Sequence, residues 1–243
     1  MARKIVITSG KGGVGKSTVC LNLGVQLAKT GARVVMLDVD VGLNNLDIVS
    51  GIQQKIVFDI VDVIEGRAKL VQALINDTNI LDLYYLPSCH TYNTGKVSAK
   101  ALQNVVKELS DSFDYILIDC PAGIDFGFHR AVFCSSEALI VTTPHISAVA
   151  DADKVATLLC HYNLDGVGVV VNRVKNKFLA PLDISSALKL KLVGSIPESE
   201  TLNIKESTSG IGLCDDFKLN RAFKQLANNI FYADYSYKQQ IKL

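Results

Sequence analysis

The sequence predicts an α/β protein with a mostly parallel, twisted sheet of about seven strands and helices on both faces. Short apolar, β-branched runs alternate with helical patterns along the chain, and the first of these runs leads through a glycine-rich turn into a helix. Strands that alternate with helices pair in parallel and are covered on both sides. With 49% hydrophobic residues among 243, the chain can fill a sizeable core.

Composition narrows the function classes. The net charge of +1 gives no general attraction to nucleic acid or to a membrane surface. No apolar run reaches the roughly 18 residues of a membrane-spanning helix, and no signal peptide precedes the first strand. We therefore expect a cytoplasmic protein. We also expect one domain over residues 1–231, followed by a tail over residues 232–243, since no repeat or low-complexity linker divides the chain.

The first element carries a phosphate-binding motif. Residues 10–17 fit the pattern G-x-x-x-x-G-K-[ST], with a predicted strand at residues 5–7 before them and helical spacing after Ser17. Glycines let backbone N–H groups turn inward around a phosphate, where the helix dipole also favours negative charge. Lys16 should reach the β- and γ-phosphates, and the Ser17 hydroxyl should bind Mg2+.

The second predicted strand, residues 33–37, ends beside two carboxylates, Asp38 and Asp40. Open α/β sheets bind ligands at this edge, so these carboxylates are candidates for the site. Short helices are predicted at residues 56–64 and 70–75, and a strand at residues 81–86.

The middle of the chain predicts a second acidic strand end. An amphipathic helix at residues 99–110 is followed by an apolar strand at residues 115–119. This strand ends in Asp119, as in a Walker B strand, whose aspartate holds Mg2+ through water. The loop at residues 120–125 is then placed to sense the γ-phosphate.

Strands are predicted at residues 138–142, 166–171 and 192–196, and helices at residues 148–160 and 217–231. Asn172 follows one of these strands. Its carboxamide could donate to and accept from a purine edge, or it could be an ordinary turn residue, and the sequence leaves both interpretations open.

The remaining reactive residues indicate no further chemistry. Histidines 90, 129, 145 and 161 lack metal-ligand spacing, and no G-x-S-x-G elbow is present. Cysteines 20, 89, 120, 134, 160 and 214 form no C-x-x-C pair and are predicted to be buried thiols.

Eight runs together carry a family resemblance: residues 7–17, 38–47, 59–66, 118–123, 141–144, 151–153, 171–173 and 191–198. They span nearly the whole chain, which resembles the deviant Walker A ATPases, a ParA/MinD family of P-loop NTPases. The runs G-L-x-N-L-D at residues 42–47 and D-V-I-E-G at residues 62–66 resemble the branch that places the cell-division site.

The resemblance implies ATP and Mg2+ as cofactors and hydrolysis of ATP to ADP and phosphate. Lys11 would be the signature lysine that reaches the nucleotide of an opposite subunit, Asp40 would position or deprotonate the attacking water, and Asn172 would read adenine. The implied catalytic residues are Lys11, Lys16 and Asp40, and the implied metal ligands are Ser17 and Asp119. The implied nucleotide-binding residues are Gly10, Lys11, Gly12, Gly13, Val14, Gly15, Lys16, Ser17, Thr18, Asp38, Gly123, Asn172, Arg173 and Pro197.

The resemblance also implies an ATP-dependent homodimer on the cytoplasmic face of the cell membrane. Its partners would be a MinC-like division inhibitor and a MinE- or DivIVA/MinJ-like regulator, with no specific nucleic acid. The chain departs from the family at Ser17, usually Thr, at His145, usually Glu, and at Ala150, usually Arg. The first change keeps the hydroxyl, and the other two concern partner binding. The tail has three tyrosines but a weak apolar face, so lipid contact and a frayed end both remain open.

Three alternatives differ in cargo or chemistry. A ParA-type DNA-segregation protein or a flagellar-number regulator would share the ATPase site, although DNA binding needs a basic surface. An iron–sulfur redox protein would need cysteines at a dimer axis, and Cys89, Cys120 and Cys134 do not fall at those positions. A scaffold that does not hydrolyse ATP is disfavoured by Asp40 and by the two loop lysines.

Overall fold

The computed structural model describes residues 2–40, 45–88, 97–175, 179–203, 212 and 216–232. Within them one sheet has the strand order β3-β4-β2-β5-β1-β6-β7-β8. The strands are β1 Arg3–Thr8, β2 Val34–Asp38, β3 Ile75–Asn76, β4 Leu83–Leu86, β5 Tyr115–Asp119, β6 Glu137–Thr142, β7 Gly166–Val174 and β8 Lys191–Pro197. The helices are α1 Lys16–Ala28, α2 Asn45–Ser50, α3 Ile60–Ile64, α4 Leu70–Ala73, α5 Ala99–Leu109, α6 Phe126–Phe133, α7 Ile146–Leu159, α8 Pro181–Leu188 and α9 Phe217–Tyr232, with a 3-10 turn at Gln53–Lys55.

The predicted α/β class with a mostly parallel sheet is confirmed. Every strand pair is parallel except β3 with β4. The sheet has eight strands in the described residues, not about seven, because the two-residue β3 adds an antiparallel edge. Strand β1 lies between β5 and β6, so the loop that follows β1 opens at the centre of the sheet.

Alternating side chains of the strands feed two separate cores. Val6 of β1 packs into one core, whereas Ile5 and Ile7 pack into the other. Helices α3 to α8 cover the first core, and α1, α2 and α9 cover the second. A sheet buried on both faces requires strands that are apolar throughout, which β2 and β5 show.

Helix α1, which follows the glycine-rich loop, is an internal helix. Eleven of its 13 residues are buried, and α9 and α2 pack against it. Polar side chains also join these layers, since Gln26 Nε2 donates to Asn220 Oδ1 at 3.2 Å. The packing fixes the direction from which the N-terminus of α1 meets the loop.

Three predicted helices were wrong at one end, and the one predicted over residues 148–160 begins two residues earlier, at Ile146. The helix predicted over residues 56–64 begins at Ile60, because Asp59 is its N-cap: Asp59 Oδ1 accepts from Val61 N at 2.7 Å and from Asp62 N at 3.1 Å. The helix predicted over residues 70–75 ends at Ala73, because the next residues turn to form β3 along β4.

Helices α2, α6 and α8 were not predicted. They have six to eight residues each, and their sequences show no clear helical period. By contrast, α5 matches its prediction to within one residue, and the Ser98 side chain caps it by accepting from Ala101 N at 3.1 Å.

Candidate nucleotide-binding site

The glycine-rich loop between β1 and α1 turns tightly into the N-terminus of α1. Gly13 and Gly15 have φ of 76° and 91°, a left-handed conformation that glycine adopts at little cost. As the N-cap, Gly15 brings no side chain to the first N–H groups of α1, and the first turn contains no acidic residue. These N–H groups and the helix dipole therefore favour an anion at this point.

The loop is held in place by its neighbours. Ser9 Oγ donates to the carbonyl oxygen of Lys11 at 2.8 Å. Gly10 lies against α7 so closely that a Cβ atom there would be 2.3 Å from the Asp151 carbonyl oxygen. Val14 is buried, and Gly12 faces Ala122, whose Cβ would lie 3.9 Å from a Cβ at position 12. A larger residue at position 10 would push the loop away from α7.

The first turn of α1 meets the end of β5. Lys16 and Ser17 are half-buried and Thr18 is buried. The Ser17 hydroxyl and the Lys16 charge lie close enough to Asp119 to lower its pKa, and the Lys16 charge also acts on Asp40. The predicted phosphate lysine, metal-binding hydroxyl and Walker B aspartate are thus close together.

Asp38 and Asp119 are directly paired in the register of β2 and β5. Asp38 is fully buried and accepts from Asp40 N at 2.8 Å and Leu46 N at 3.0 Å. Burial raises the pKa of Asp38 well above its ordinary value, and the nearby Asp119 and Asp47 add to the increase. Through these contacts Asp38 holds the segment that follows β2. The family resemblance had placed Asp38 among the nucleotide-binding residues.

Asp40 is half-buried, whereas Asp38 and Asp119 are buried. Asn45 Nδ2 donates to Asp40 Oδ2 at 3.2 Å. Burial raises the pKa of Asp40, and the Lys16 charge opposes this effect. A carboxylate in this state can hold a water molecule or accept a proton from it.

Asp119 and Ser17 fit a magnesium ion. Asp119 is 2% exposed, and no described residue donates a hydrogen bond to its Oδ1 atom. Burial raises its pKa to about 6, against the lowering effects of the Ser17 hydroxyl and the Lys16 charge. Hydroxyl and carboxylate oxygens are ligands that Mg2+ accepts, and Mg2+ commonly takes its other ligands from phosphate and water. The described residues hold no group of three or more His, Cys, Asp or Glu side chains that could bind a metal ion by themselves.

The loop after β5 lies alongside the glycine-rich loop. Cys120 N donates to the Ile7 carbonyl at 3.1 Å, and Gly123 N donates to the Ser9 carbonyl at 3.1 Å. Gly123, which the resemblance places among the nucleotide-binding residues, thus has its N–H paired with the glycine-rich loop in this structure.

Asn172, at the end of β7, faces the glycine-rich loop. Its Nδ2 donates to the Val14 carbonyl at 2.9 Å, and its Oδ1 accepts from Arg173 N at 3.0 Å. Arg173 and Pro197 lie at the ends of neighbouring strands, where Val174 pairs with Pro197. The structure thus brings the predicted adenine-reading residues to the edge of the site.

Lys11 differs from Lys16 in its surroundings. It is exposed, and its Nζ is 3.4 Å from Ser147 Oγ in the first turn of α7. Neighbouring Ile146 is 79% exposed. Lys11 therefore lies on the outer surface of the loop.

The sequence prediction of buried thiols holds for Cys20, Cys120 and Cys134 and is wrong for Cys160, which is exposed. Cys160 follows the last turn of α7 as its C-cap, where the chain leaves the core. Predictions about Cys89, His90, Cys214 and residues 42–44 lie outside the described residues.

Ser9, Asn45 and Ser147 contribute contacts to the site and were not singled out from the sequence. Asn45 and Ser9 lie inside runs that carry the family resemblance, which is the signal that could have found them. Ser147 contacts Lys11 from 136 positions away in sequence, and no local pattern indicates such a pair.

Comparisons with known proteins show the family of this chain. The family model described as "ParA: NUBPL iron-transfer P-loop NTPase" matches residues 1–178. The septum site-determining protein MinD of Bacillus subtilis (strain 168) is 43% identical over 241 residues, which cover 95% of this chain and 89% of that protein.

The chain belongs to the ParA/MinD family of P-loop ATPases.

Solved structures of MinD-type members show the same fold. A chain of the MinC:MinD cell division protein complex from Aquifex aeolicus matches with a TM-score of 0.85 at 38% identity, over 95% of this chain and 96% of that one. MinD complexed with Mg-ADP from Pyrococcus horikoshii OT3 matches with a TM-score of 0.84 at 33% identity, over the same shares. A ParA family ATPase from Chlorobium tepidum TLS, at 20% identity, shares the fold. Among the described residues of this chain, no helix has the length and apolar character to cross a bilayer.

Proposed function

We propose that this MinD-type chain is a Mg2+-dependent ATPase that dimerises on binding ATP, associates with the cytoplasmic face of the cell membrane and recruits a division inhibitor to help place the division site. The observation that carries the proposal is the meeting of Lys16, Ser17, Asp40 and Asp119 at one end of α1. The solved MinD complexed with Mg-ADP supports the choice of ligands.

Binding of ATP would use groups that the loop already presents. The N–H groups at the start of α1, which no side chain of the N-cap residue bonds, and the Lys16 ammonium would bind the phosphates, with Thr18 in the same turn. Ser17 and Asp119 would hold Mg2+, which when bound neutralises charge on the phosphates. The buried Asp119 Oδ1, which lacks a partner among the described residues, would then gain one.

Hydrolysis would depend on Asp40. Its carboxylate is oriented by Asn45, and its half-buried position raises its pKa toward the range of a general base. Asp40 would hold the attacking water in line with the terminal phosphate and take its proton. Phosphoryl transfer needs little more than such positioning and charge stabilisation.

Dimerisation would bring Lys11 into the site of a second copy. Lys11 is exposed and contacts α7 of its own chain, whereas Lys16 acts on the carboxylates. An exposed lysine beside a phosphate loop is available to a nucleotide held by the opposite subunit. In this arrangement each subunit completes the charge stabilisation of the other.

The partners follow from the family. A MinC-like inhibitor would bind the dimer, as the MinC:MinD complex of Aquifex aeolicus suggests, and a MinE- or DivIVA/MinJ-like protein would regulate it. Helix α7 is a suitable contact, since Asp153 is exposed and Asp151 pairs with Lys154 at 3.0 Å. Because α7 also touches Gly10 and Lys11, a partner there would sense the state of the loop.

The first experiment measures oligomeric state and ATP turnover together. With ATP and Mg2+ we expect the chain to change from monomer to dimer in analytical ultracentrifugation. Lys16→Ala should lower turnover by at least about 100-fold through lost charge stabilisation. Lys11→Ala should prevent dimers and lower turnover while retaining nucleotide binding, and Lys100→Ala, an exposed lysine on α5, is the control. Unchanged dimerisation and turnover in Lys11→Ala would contradict the cross-subunit role.

The second experiment tests membrane contact. We infer that residues 1–231 form the ATPase domain and that residues 232–243 are a tail that contacts lipid, presented twice by a dimer. Vesicles containing anionic lipid should sediment the full chain with ATP and not a chain ending at Phe231. Equal sedimentation of both would show that the tail is not the anchor. Steep, salt-dependent and ATP-dependent binding to DNA would instead favour a ParA-type cargo.

A further inference from the structure

The carboxamide of Asn172 is engaged on both sides with the protein backbone. Asn172 is 8% exposed, its Nδ2 donates to the Val14 carbonyl at 2.9 Å, and its Oδ1 accepts from Arg173 N at 3.0 Å. Because one edge meets an acceptor and the other a donor, the carboxamide has a single favourable orientation.

The end of β7 is shaped to hold this orientation. Arg173 has φ of 56°, a left-handed conformation that is unfavourable for a residue with a side chain. The pairing of β7 with β8 shifts register between Val171 and Val174. This local turn brings the Arg173 N–H to Asn172 Oδ1, so that the amide group is left facing the loop.

The loop has a matching shape on its side. A Cβ atom at Gly15 would lie 2.4 Å from Asn172 Nδ2, so the two can approach only because position 15 is glycine. Gly15 is also the N-cap of α1. The contact therefore lies at the peptide group that joins the loop to the helix.

The peptide geometry links this contact to phosphate binding. The Val14 carbonyl and the Gly15 N–H belong to one planar trans peptide, so they point in opposite directions. Fixing the carbonyl toward Asn172 fixes the Gly15 N–H away from it. We propose that Asn172 is a positioning residue of the phosphate-binding loop, which holds the Gly15 N–H toward the bound phosphates whatever base the nucleotide carries.

This role goes beyond the reading of adenine and rests on the proposed function, since it assumes that the loop binds phosphates. A base reader contributes only when a base is present. A residue that positions the loop contributes as much to the binding of a ligand that consists of phosphates alone as it does to the binding of ATP. The two roles therefore separate when ATP is compared with inorganic tripolyphosphate.

The test is calorimetric titration of the full chain and of Asn172→Ala with ATP and with tripolyphosphate, each with Mg2+. We expect Asn172→Ala to lower the affinity for both ligands by a similar factor of about ten, because the Val14 carbonyl loses its buried partner. The matched control is Asn229→Ala, which removes an equivalent bond from Asn229 Nδ2 to the Val193 carbonyl at 2.8 Å, on α9. The affinity of Asn229→Ala for tripolyphosphate should equal that of the parent chain.

A second variant guards against misfolding of the first. Asn172→Asp keeps the shape and the Oδ1 acceptor but replaces the donor with a second oxygen, so it should bind tripolyphosphate at least as weakly as Asn172→Ala. Tripolyphosphate affinity at the parent level in either folded variant, with ATP alone weakened, would overturn the inference and leave a base reader. If the parent chain bound neither ATP nor tripolyphosphate, the proposed function would be overturned and the inference with it.

Discussion

At the residue scale, three buried carboxyl groups near the loop differ in their hydrogen bonds. Asp38 accepts two backbone N–H groups, and Asp119 lies beside the Ser17 hydroxyl, which lowers its pKa. Asp47, on α2, has no hydrogen-bond partner among the described residues for either oxygen. Burial raises the pKa of all three, and hydrogen bonds oppose this increase only for Asp38 and Asp119. No hydrogen bond from a described residue opposes the effect of burial on Asp47, so its effect on the free energy of unfolding is the simplest of the three to predict.

The raised pKa of Asp47 predicts that the protein loses stability as the pH rises. Burial, with a further contribution from Asp59, raises its pKa to about 7, above the value of about 3.9 in an unfolded chain. Between these values the folded protein binds more protons, so the Asp47 contribution to the free energy of unfolding falls from about pH 4 to pH 7. In Asp47→Asn this dependence should be absent, so the variant should gain about 1–3 kcal/mol relative to the parent between pH 4 and pH 8.

Urea unfolding at several pH values measures this difference. Asp111→Asn, at an exposed aspartate, is the control and should follow the parent at every pH. Parallel curves for Asp47→Asn and the parent chain would show that Asp47 is not held at a raised pKa.

At the element scale, side-chain caps decide where helices begin. Asp59 and Ser98 each accept hydrogen bonds from the first turn of the helix that follows, and α3 and α5 begin directly after them. Helix α1 differs, because its N-cap is glycine, which has no side chain that could cap the helix. The helix that serves the site thus begins without a capping side chain.

Loss of the Asp59 cap should destabilise the protein. Asp59→Ala removes the acceptor for Val61 N and Asp62 N, which should lower the free energy of unfolding by about 1 kcal/mol. Asp59→Asn removes the same charge but keeps an oxygen that can cap the helix. Chemical denaturation should therefore place Asp59→Ala below Asp59→Asn, and equal stabilities would contradict the capping role.

At the scale of the whole molecule, Arg3 joins the centre of the sheet to the end of α9, the last helix among the described residues. Its Nε and Nη2 donate to the Glu137 carboxylate at 2.8 and 2.6 Å, and its Nη1 donates to the Ile230 carbonyl of α9. The guanidinium also lies 5.7 Å from the centre of the Tyr115 ring. Arg3 is the first residue of β1, so this contact lies at the end of β1 opposite to the glycine-rich loop.

Removal of the Arg3 side chain should loosen the end of α9. Arg3→Ala leaves Glu137 partly buried without its guanidinium partner and should destabilise the protein by about 1–3 kcal/mol. Hydrogen exchange should increase in the last turn of α9 and stay unchanged in α5. Arg3→Lys keeps the charge but not the planar fork, so an intermediate result is expected. Unchanged exchange around Ile230 would show that Arg3 does not anchor α9.

The sequence predicted those elements whose signals are local. The glycine-rich loop, the apolar strands that end in Asp38 and Asp119, and the long helix α5 all have patterns within a few residues, and the structure contains each of them. Short helices such as α2 and α6 were missed because packing of a few apolar side chains, not a repeated period, stabilises them. The two-residue β3 was missed because two residues are too few to show strand alternation, and its pairing with β4 is what defines it as a strand.

The sequence by itself determined the α/β class, the phosphate-binding loop and the family, because backbone geometry and charge around a phosphate restrict the residues at each position. Only the tertiary structure decided what those residues contact. It directed the Asn172 carboxamide to the Val14 carbonyl, placed Lys11 against α7 and left Asp119 Oδ1 without a partner among the described residues. These contacts join residues up to 158 positions apart, and the order of strands in the sheet, which no local pattern encodes, brings them together.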